Sequence, residues 1–325
     1  MNHSCSHTHY DAFTQQVSEQ IKQAVAEQRT LQISGNQSKV PLNGDEQIDL
    51  AAHSGVIAYE PSELVITVKA GTKLTELKEV LAERNQMLGF EPPDYGDSTI
   101  GGTYACALTG PSRPFRGVLR DFVLGTKMVD GRGQPLTFGG QMIKNVAGYD
   151  VSRMMAGSKG SMAVITELSL KVIPLVEEHT YYKEMHEDEA IILMNQMAGT
   201  TLPLSGCAYY EGRFYYRVYG EHPHQDATPC DNSVWLTLNP FKPKLAPGQK
   251  LWRVDTEGPA PSIPNTLAVG MCGQRRWVVS DEPPAPYSTQ WQSYFAPRHN
   301  DTQEVAKIKK GLKQVFDPHN VFKNL

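Results

Sequence analysis

Cysteine is scarce in this chain of 325 residues: Cys5, Cys106, Cys207, Cys230 and Cys272 are odd in number, widely spaced and without a CxxC pair. That spacing supports neither a disulfide framework nor a cysteine-ligated iron–sulfur cluster, and free thiols in a reducing compartment are the plain reading. No apolar run approaches the roughly 18 to 20 residues that span a bilayer, so no transmembrane helix is expected. The opening Met1-Asn2-His3-Ser4-Cys5 has neither a basic nor an apolar signal region, which makes the cytoplasm the expected location. Lys and Arg number 31 against 35 Asp and Glu, for a formal charge of -4 with no basic stripe. Nucleic acid is therefore not expected as a partner. There is no GxGxxG between a strand and a helix and no GxxxxGK[ST], so neither a Rossmann nor a Walker-type site is supported. A metal site could be drawn through His3, Cys5, His7 and His9, but a chain end that happens to carry histidines is the simpler reading, and no metal is expected.

What is present is an ordinary globular composition, 40% hydrophobic and 20% charged, in a chain long enough for more than one core. Phe13, Val17, Ile21, Ala24 and Val25 recur at helical spacing and predict a helix over 11–28, followed by a short strand, Leu31 to Ser34. Val56 to Tyr59 and Leu64 to Lys69 read as a hairpin around Glu60-Pro61-Ser62-Glu63. Gly71-Thr72 then offers an N-cap to a helix carrying Leu74, Leu77 and Leu81. A second unit begins near residue 90. In it Asp130-Gly131-Arg132-Gly133 predicts a hairpin between Phe122–Val129 and Gln134–Phe138, and a short helix spans Tyr149 to Ala156. Val164, Thr166, Leu168, Leu170 and Val172 alternate as a half-buried strand should, closed by Pro174, where a domain boundary is expected at about 175. Beyond it lie a helix over Glu187–Met197, aromatic strands around Tyr209-Tyr210 and Phe214–Tyr219, proline-rich loops at 239–264 and 281–297, and a last helix from Asp301 to Phe316.

Two glycine sites carry the chemistry. Gly35-Asn36-Gln37-Ser38-Lys39 follows a strand directly, and Ser98-Thr99-Ile100-Gly101-Gly102 is followed by Gly110-Pro111 and Gly117. Small residues let a backbone approach an anion, and consecutive N–H groups can form a nest for a pyrophosphate. Two such loops could clamp a dinucleotide between them; taken singly, each is better explained as a structural turn.

Further segments carry a resemblance. Tyr59-Glu60-Pro61-Ser62-Glu63-Leu64-Val65-Ile66-Thr67, Phe90-Glu91-Pro92-Pro93, Arg120-Asp121-Phe122-Val123-Leu124-Gly125, Phe138-Gly139-Gly140, Lys144 to Arg153 and Gly157-Ser158-Lys159-Gly160 stand in the order found in FAD-binding glycolate oxidase subunits. The likeness covers residues 31 to 175. The wider family is similar to vanillyl-alcohol oxidase and p-cresol methylhydroxylase. It implies an α+β fold in which two subdomains, about 10–88 and 89–175, hold an extended FAD, followed by a smaller α+β cap-like or partner-binding domain over 176–325. By position, Gly35 to Lys39 would meet the pyrophosphate from one side and Thr99, Ile100, Gly101 and Gly102 from the other. Gly157, Gly160, Val164 and Ile165 would lie along the adenosine half. Lys144, Tyr149 and Asp150 read as packing and hydrogen-bonding residues that hold these loops. Some relatives attach the flavin through a histidine in the first loop or a cysteine near the second. The first loop here has no histidine and Cys106 sits in no attachment pattern, so the FAD is expected to be non-covalent.

The resemblance implies oxidation of a 2-hydroxy acid, glycolate, to glyoxylate, with a larger FAD-binding subunit and an iron–sulfur subunit as partners through which membrane association could arise. Such chemistry asks for a cationic carboxylate clamp and a base. Arg113, Arg116, Arg275, Arg276 and His299 are candidates that no spacing singles out, and surface positions are the alternative. No GDGNxH-like histidine motif is present, and the closing Asp317-Pro318-His319-Asn320-Val321-Phe322-Lys323-Asn324-Leu325 stops short of the family's DP…FNPG segment. A non-catalytic FAD-holding assembly subunit and a stand-alone FAD oxidase of another alcohol are thus carried as alternatives, and the catalytic residues are left unassigned.

Overall fold

The computed structural model describes residues 10–39, 46–140, 150–224, 226–256, 258, 262–284, 288–290 and 303–323. His3, Cys5, His7, His9, Lys144, Tyr149 and His299 lie outside them.

Helix α1 (Ala12–Ala26) is capped by the Asp11 carboxylate, which accepts the Thr14 N–H, and buries Val17, Ile21 and Ala24 along one face. It delivers the chain into β1 (Gln32–Ser34), which pairs in parallel with β2 (Gln47–Asp49). Strands β3 (Val56–Glu60) and β4 (Val65–Lys69) form the expected hairpin around Pro61–Glu63. Helix α2 (Leu74–Ala82) buries Leu74, Leu77 and Leu81. Its N-cap is Lys73, not Thr72. The Thr72 hydroxyl is occupied with the carbonyls of Lys69 at 2.7 Å and Gly55 at 3.2 Å, a tertiary use that removes it from helix capping. There follow β5 (Gln86–Met87), α3 (Ile100–Ala105), α4 (Arg113–Arg116), β6 (Val123–Asp130), β7 (Pro135–Gly139), α5 (Val151–Met154), β8 (Ala163–Lys171) and β9 (Ile173–Pro174).

The order β3-β4-β8-β6-β7 places the early hairpin and the later strands in one five-stranded sheet, so the units expected over 10–88 and 89–175 share a ladder. Strand β8, which alternates like a half-buried strand in sequence, is buried on both faces. Ala163, Ile165, Leu168 and Leu170 join the main core while Val164 packs on the other side with Val17, Ile21 and Leu31. A central strand between two cores has no solvent face to mark.

The second lobe is an eight-stranded sheet, in the order β13-β10-β12-β11-β15-β16-β14-β17. Its elements are β10 (Glu178–Glu184), α6 (Glu187–Ala198), β11 (Leu204–Tyr210), β12 (Arg213–Tyr219), β13 (Thr228–Cys230), α7 (Ser233–Leu238), β14 (Leu251–Asp255), β15 (Thr266–Gly270), β16 (Arg275–Val279) and β17 (Ser288–Gln290). Strand β14 sits inside the segment read as a proline-rich loop. Its five residues are free of proline and bury Leu251, Trp252 and Val254, so the prolines bracket a strand and do not abolish it.

Helix α8 (Gln303–Phe316) and the tail after it pack on the first lobe, although the sequence places them in the second. Phe316 meets Phe138 edge-on, Val321 and Phe322 enter the core beside α1, and Leu31 bridges to Phe322. Among the described residues, no helix is long and apolar enough to cross a membrane.

Candidate functional site

The first loop turns out of β1 beside the start of α3, and the space between them is a cavity of about 100 Å³. Of the residues expected around a dinucleotide, Gly35, Asn36, Gln37, Ser38, Lys39, Thr99, Gly101, Gly102, Gly160 and Ile165 line it, joined by Ser34, Cys106 and Lys159 among others. Ser98 stands just behind, its hydroxyl 3.0 Å from that of Ser38, and Ile100 is fully buried in the core. Val164 faces the opposite side of β8, and Gly157 gives its N–H to the Tyr104 carbonyl outside the lining.

The two walls differ chemically. The N–H groups of Ile100, Gly101 and Gly102 are already taken, by Thr72 O at 2.9 Å, Ala70 O at 2.8 Å and Thr99 Oγ1 at 3.1 Å. The α3 wall therefore offers shape and not the nest of donors expected of it. Gly101 is needed for that shape: a Cβ there would lie 2.7 Å from the Ala70 carbonyl. On the other wall, no acceptor among the described residues receives the backbone N–H of Gly35, Asn36, Ser38 or Lys39. The Lys39 ammonium points into the same space. Burial holds its pKa below the ordinary value, with attraction from the Cys106 thiol and Asp94 opposing that shift. Ser34, which sequence reasoning passed over, lines the cavity with a buried hydroxyl that has no hydrogen-bond partner among the described residues. Orphaned buried polar atoms and a desolvated cation are costly without a ligand. They fit an anionic, hydroxyl-bearing molecule.

Gly110 and Pro111 line a second cavity of about 90 Å³ between the lobes. The first lobe supplies Pro93, Tyr95, Ala107 to Pro111 and Arg113. The second supplies Trp235, Asn239, Phe241, Arg253, Met271, Arg275 and Trp277, among others. Tyr95 joins the two spaces: the Lys39 ammonium lies 6.0 Å from its ring centre and the Lys242 ammonium 5.0 Å. Arg253 and Arg275 share the Asp255 carboxylate at 2.6 and 2.7 Å. Burial would raise the carboxyl pKa, but the Arg275 and Arg253 guanidiniums outweigh it and hold Asp255 far below the usual range. Of the candidate clamp residues, Arg113 and Arg275 reach this cavity. Arg276 is fully buried against Glu187 elsewhere, and Arg116 lies in an ion-pair network behind the cavity wall. Arg253 escaped notice because it stands in β14, the strand hidden by its proline-rich flanks. The second cavity thus combines flat aromatic walls with guanidinium groups, suited to a planar ring and a small carboxylate.

Residues 12–139 match the FAD binding domain family. The chain is 36% identical over 284 residues to glycolate oxidase subunit GlcE of Escherichia coli (strain K12), covering 82% of this chain and 81% of that protein. It is 32% identical over 137 residues to D-lactate dehydrogenase of Anaerostipes hadrus, covering 42% of this chain and 28% of that one. Over 133 residues it is 28% identical to glycolate oxidase subunit GlcD of Bacillus subtilis (strain 168), covering 41% of this chain and 28% of the other. Among solved structures, alkyldihydroxyacetonephosphate synthase aligns with a TM-score of 0.63 over 94% of this chain and 73% of its own, at 12% identity, a likeness of fold.

Proposed function

The chain belongs to the family of FAD-binding glycolate oxidase subunits, and from that premise we propose that it binds FAD non-covalently across both cavities and takes part in oxidising glycolate to glyoxylate. The observation that carries this reading is the first cavity, lined by the Lys39 cation, by Gly35, Asn36 and Ser38, and by no carboxylate, where the backbone N–H groups of these four residues meet no acceptor among the described residues. Gly35, Asn36, Ser38, Lys39 and the Ser34 hydroxyl would hold the pyrophosphate there, with Gly101 and Gly102 as the facing wall. Gly157, Gly160, Val164 and Ile165 form or back the adenosine side. Past Tyr95, the aromatic walls of the second cavity beside Gly110 and Pro111 would hold the ring system.

Bound FAD supplies a hydride acceptor, which is the chemistry that oxidation of a 2-hydroxy acid requires. This chain's own contribution is to place the substrate. Arg275 and Arg253 hold the carboxylate, and Asp255 keeps both guanidiniums in orientation without lining the cavity itself. A larger FAD-binding subunit and an iron–sulfur subunit would be the partners that carry the electrons away; the naming of the related proteins as subunits supports partner subunits as such.

An absorbance spectrum of the purified chain, recorded before and after anaerobic glycolate and followed by acid precipitation, tests the reading. Yellow colour released by acid and bleached by glycolate is the expected result. Flavin that glycolate leaves oxidised makes this an assembly subunit, and a colourless chain that takes up no FAD overturns the proposal.

A further inference from the structure

Four charged side chains meet where the lobes touch, Glu91 and Arg116 from the first and Glu178 and Arg217 from the second, and none is more than 14% exposed. Their pairing has a direction. The close contacts cross between lobes: Arg217 Nη2 donates to both Glu91 oxygens at 2.6 and 2.8 Å, and Arg116 Nη2 to Glu178 at 2.5 Å. The contacts within each lobe, Arg116 to Glu91 and Arg217 to Glu178, are both 3.4 Å. Each lobe is therefore neutral at this point by itself, and the lobes meet by exchanging partners.

A buried ion pair is a poor source of net stability, because desolvation consumes most of the attraction, but it fixes relative position well. What this one positions can be followed atom by atom. Arg217 lies over the Trp235 ring at 5.0 Å, and Trp235 is a wall of the second cavity. The Glu91 carbonyl accepts from Asn239 Nδ2 at 3.0 Å, and Asn239 is another wall of it. The Glu91 carboxylate also accepts the Ser112 N–H, and the neighbouring Phe90 carbonyl accepts that of Gly110. Gly110 leaves no slack in this arrangement, since a Cβ there would stand 2.1 Å from the Glu91 carbonyl.

We propose that Glu91 and Arg217 are positioning residues for the interlobe cavity: their cross-lobe pair sets the separation between the Gly110 wall and the Trp235 and Asn239 wall, and so the affinity for the small carboxylate held there. The effect on a carboxylate ligand rests on the function proposed above; the positioning of the walls does not.

The test compares full-length wild type, Glu91→Gln and Arg217→Met, each with and without FAD. Arg217 keeps Glu178 within 3.4 Å when Glu91 loses its charge, so Glu91→Gln folds without leaving a buried cation alone. Hydrogen exchange followed by mass spectrometry reads the walls directly. Faster exchange is expected over 108–112 and 232–241, with the loop at 33–39 unchanged, in both variants. Unchanged exchange in those two segments overturns the proposal whatever the ligand. In the FAD-loaded proteins, the apparent Kd for glycolate from flavin difference spectra is expected to rise about tenfold while that for FAD moves less than about threefold. Glycolate binding that stays within twofold of wild type refutes the link from wall position to affinity. Faster exchange in both variants, beside a wild type whose flavin shows no response to glycolate, sustains the positioning and sinks the substrate reading instead.

Discussion

Replacing Lys39 by Met separates the cost of a buried cation from its use. In the ligand-free chain the ammonium sits in a cavity with no carboxylate among the described lining residues, and burial lowers its pKa, with Cys106 and Asp94 giving only partial relief. A methionine of similar length should leave the free protein as stable as before or more so. With FAD present the sign reverses. A charge-assisted hydrogen bond to a phosphate oxygen contributes about 1.5 to 3 kcal/mol, so the variant should bind FAD roughly 10- to 100-fold more weakly. The pH dependence follows from the same shift. A lysine with a folded pKa below its unfolded one binds fewer protons when folded, so stability of the free chain rises with pH from the depressed value toward 10.5. FAD selects the protonated form, so its affinity falls as pH climbs through the depressed value, and Lys39→Met loses that dependence. Fluorescence titration of the stripped chain with FAD from neutral to alkaline pH, beside thermal melts of the free proteins, measures both signs. An FAD affinity within threefold of wild type, with the pH profile intact, would remove Lys39 from the phosphate site and refute the reasoning.

Three further outcomes are expected. Asp317 is fully buried and accepts from the N–H groups of Val321 and Phe322 at 2.9 and 3.0 Å and from Lys313 at 2.6 Å. Asp317→Ala takes the acceptor from both N–H groups and leaves the Lys313 ammonium with only the carbonyls of Ser161 and Phe322, and should cost about 3 to 5 kcal/mol, read as a fall in Tm and in the denaturant midpoint. Arg275→Met should weaken glycolate binding about 10- to 100-fold while the FAD Kd stays within a few fold, since only one end of the proposed site is touched; equilibrium titration of both ligands checks it. The Cys106 thiol lines the first cavity, and burial raises its pKa, so maleimide should label it slowly in the free chain and more slowly still once FAD is bound. Peptide mapping that finds equal labelling with and without FAD would place the cofactor elsewhere.

The sequence was most informative where a local conformation is dictated by a few neighbouring residues. The hairpin turns at 60–63 and 130–133 are read from proline and glycine, which act on the local φ and ψ, and the first helix from the spacing of Phe13, Val17, Ile21 and Ala24, which sets one apolar face. Elements failed to show where tertiary burial overrode the pattern. The double-sided burial of β8 concealed its true exposure, and the prolines around β14 concealed a strand that carries Arg253.

By itself, then, the amino-acid order determined the two glycine loops and the periodic elements that present them, since backbone approach and apolar spacing are properties of short segments. It could not decide which glycine loop keeps free donors. Gly101 and Gly102 have the composition of a nest, yet Ala70 and Thr99 consume their N–H groups, while those of Gly35, Asn36, Ser38 and Lys39 meet no acceptor among the described residues. Nor could it place Ser34, whose hydroxyl matters only because of the cavity beside it, or Glu91, whose partner Arg217 lies 126 residues away. Hydrogen-bond accounting and desolvation depend on everything that surrounds an atom in space, and that surrounding exists only once both lobes and the returning C-terminal tail are folded together.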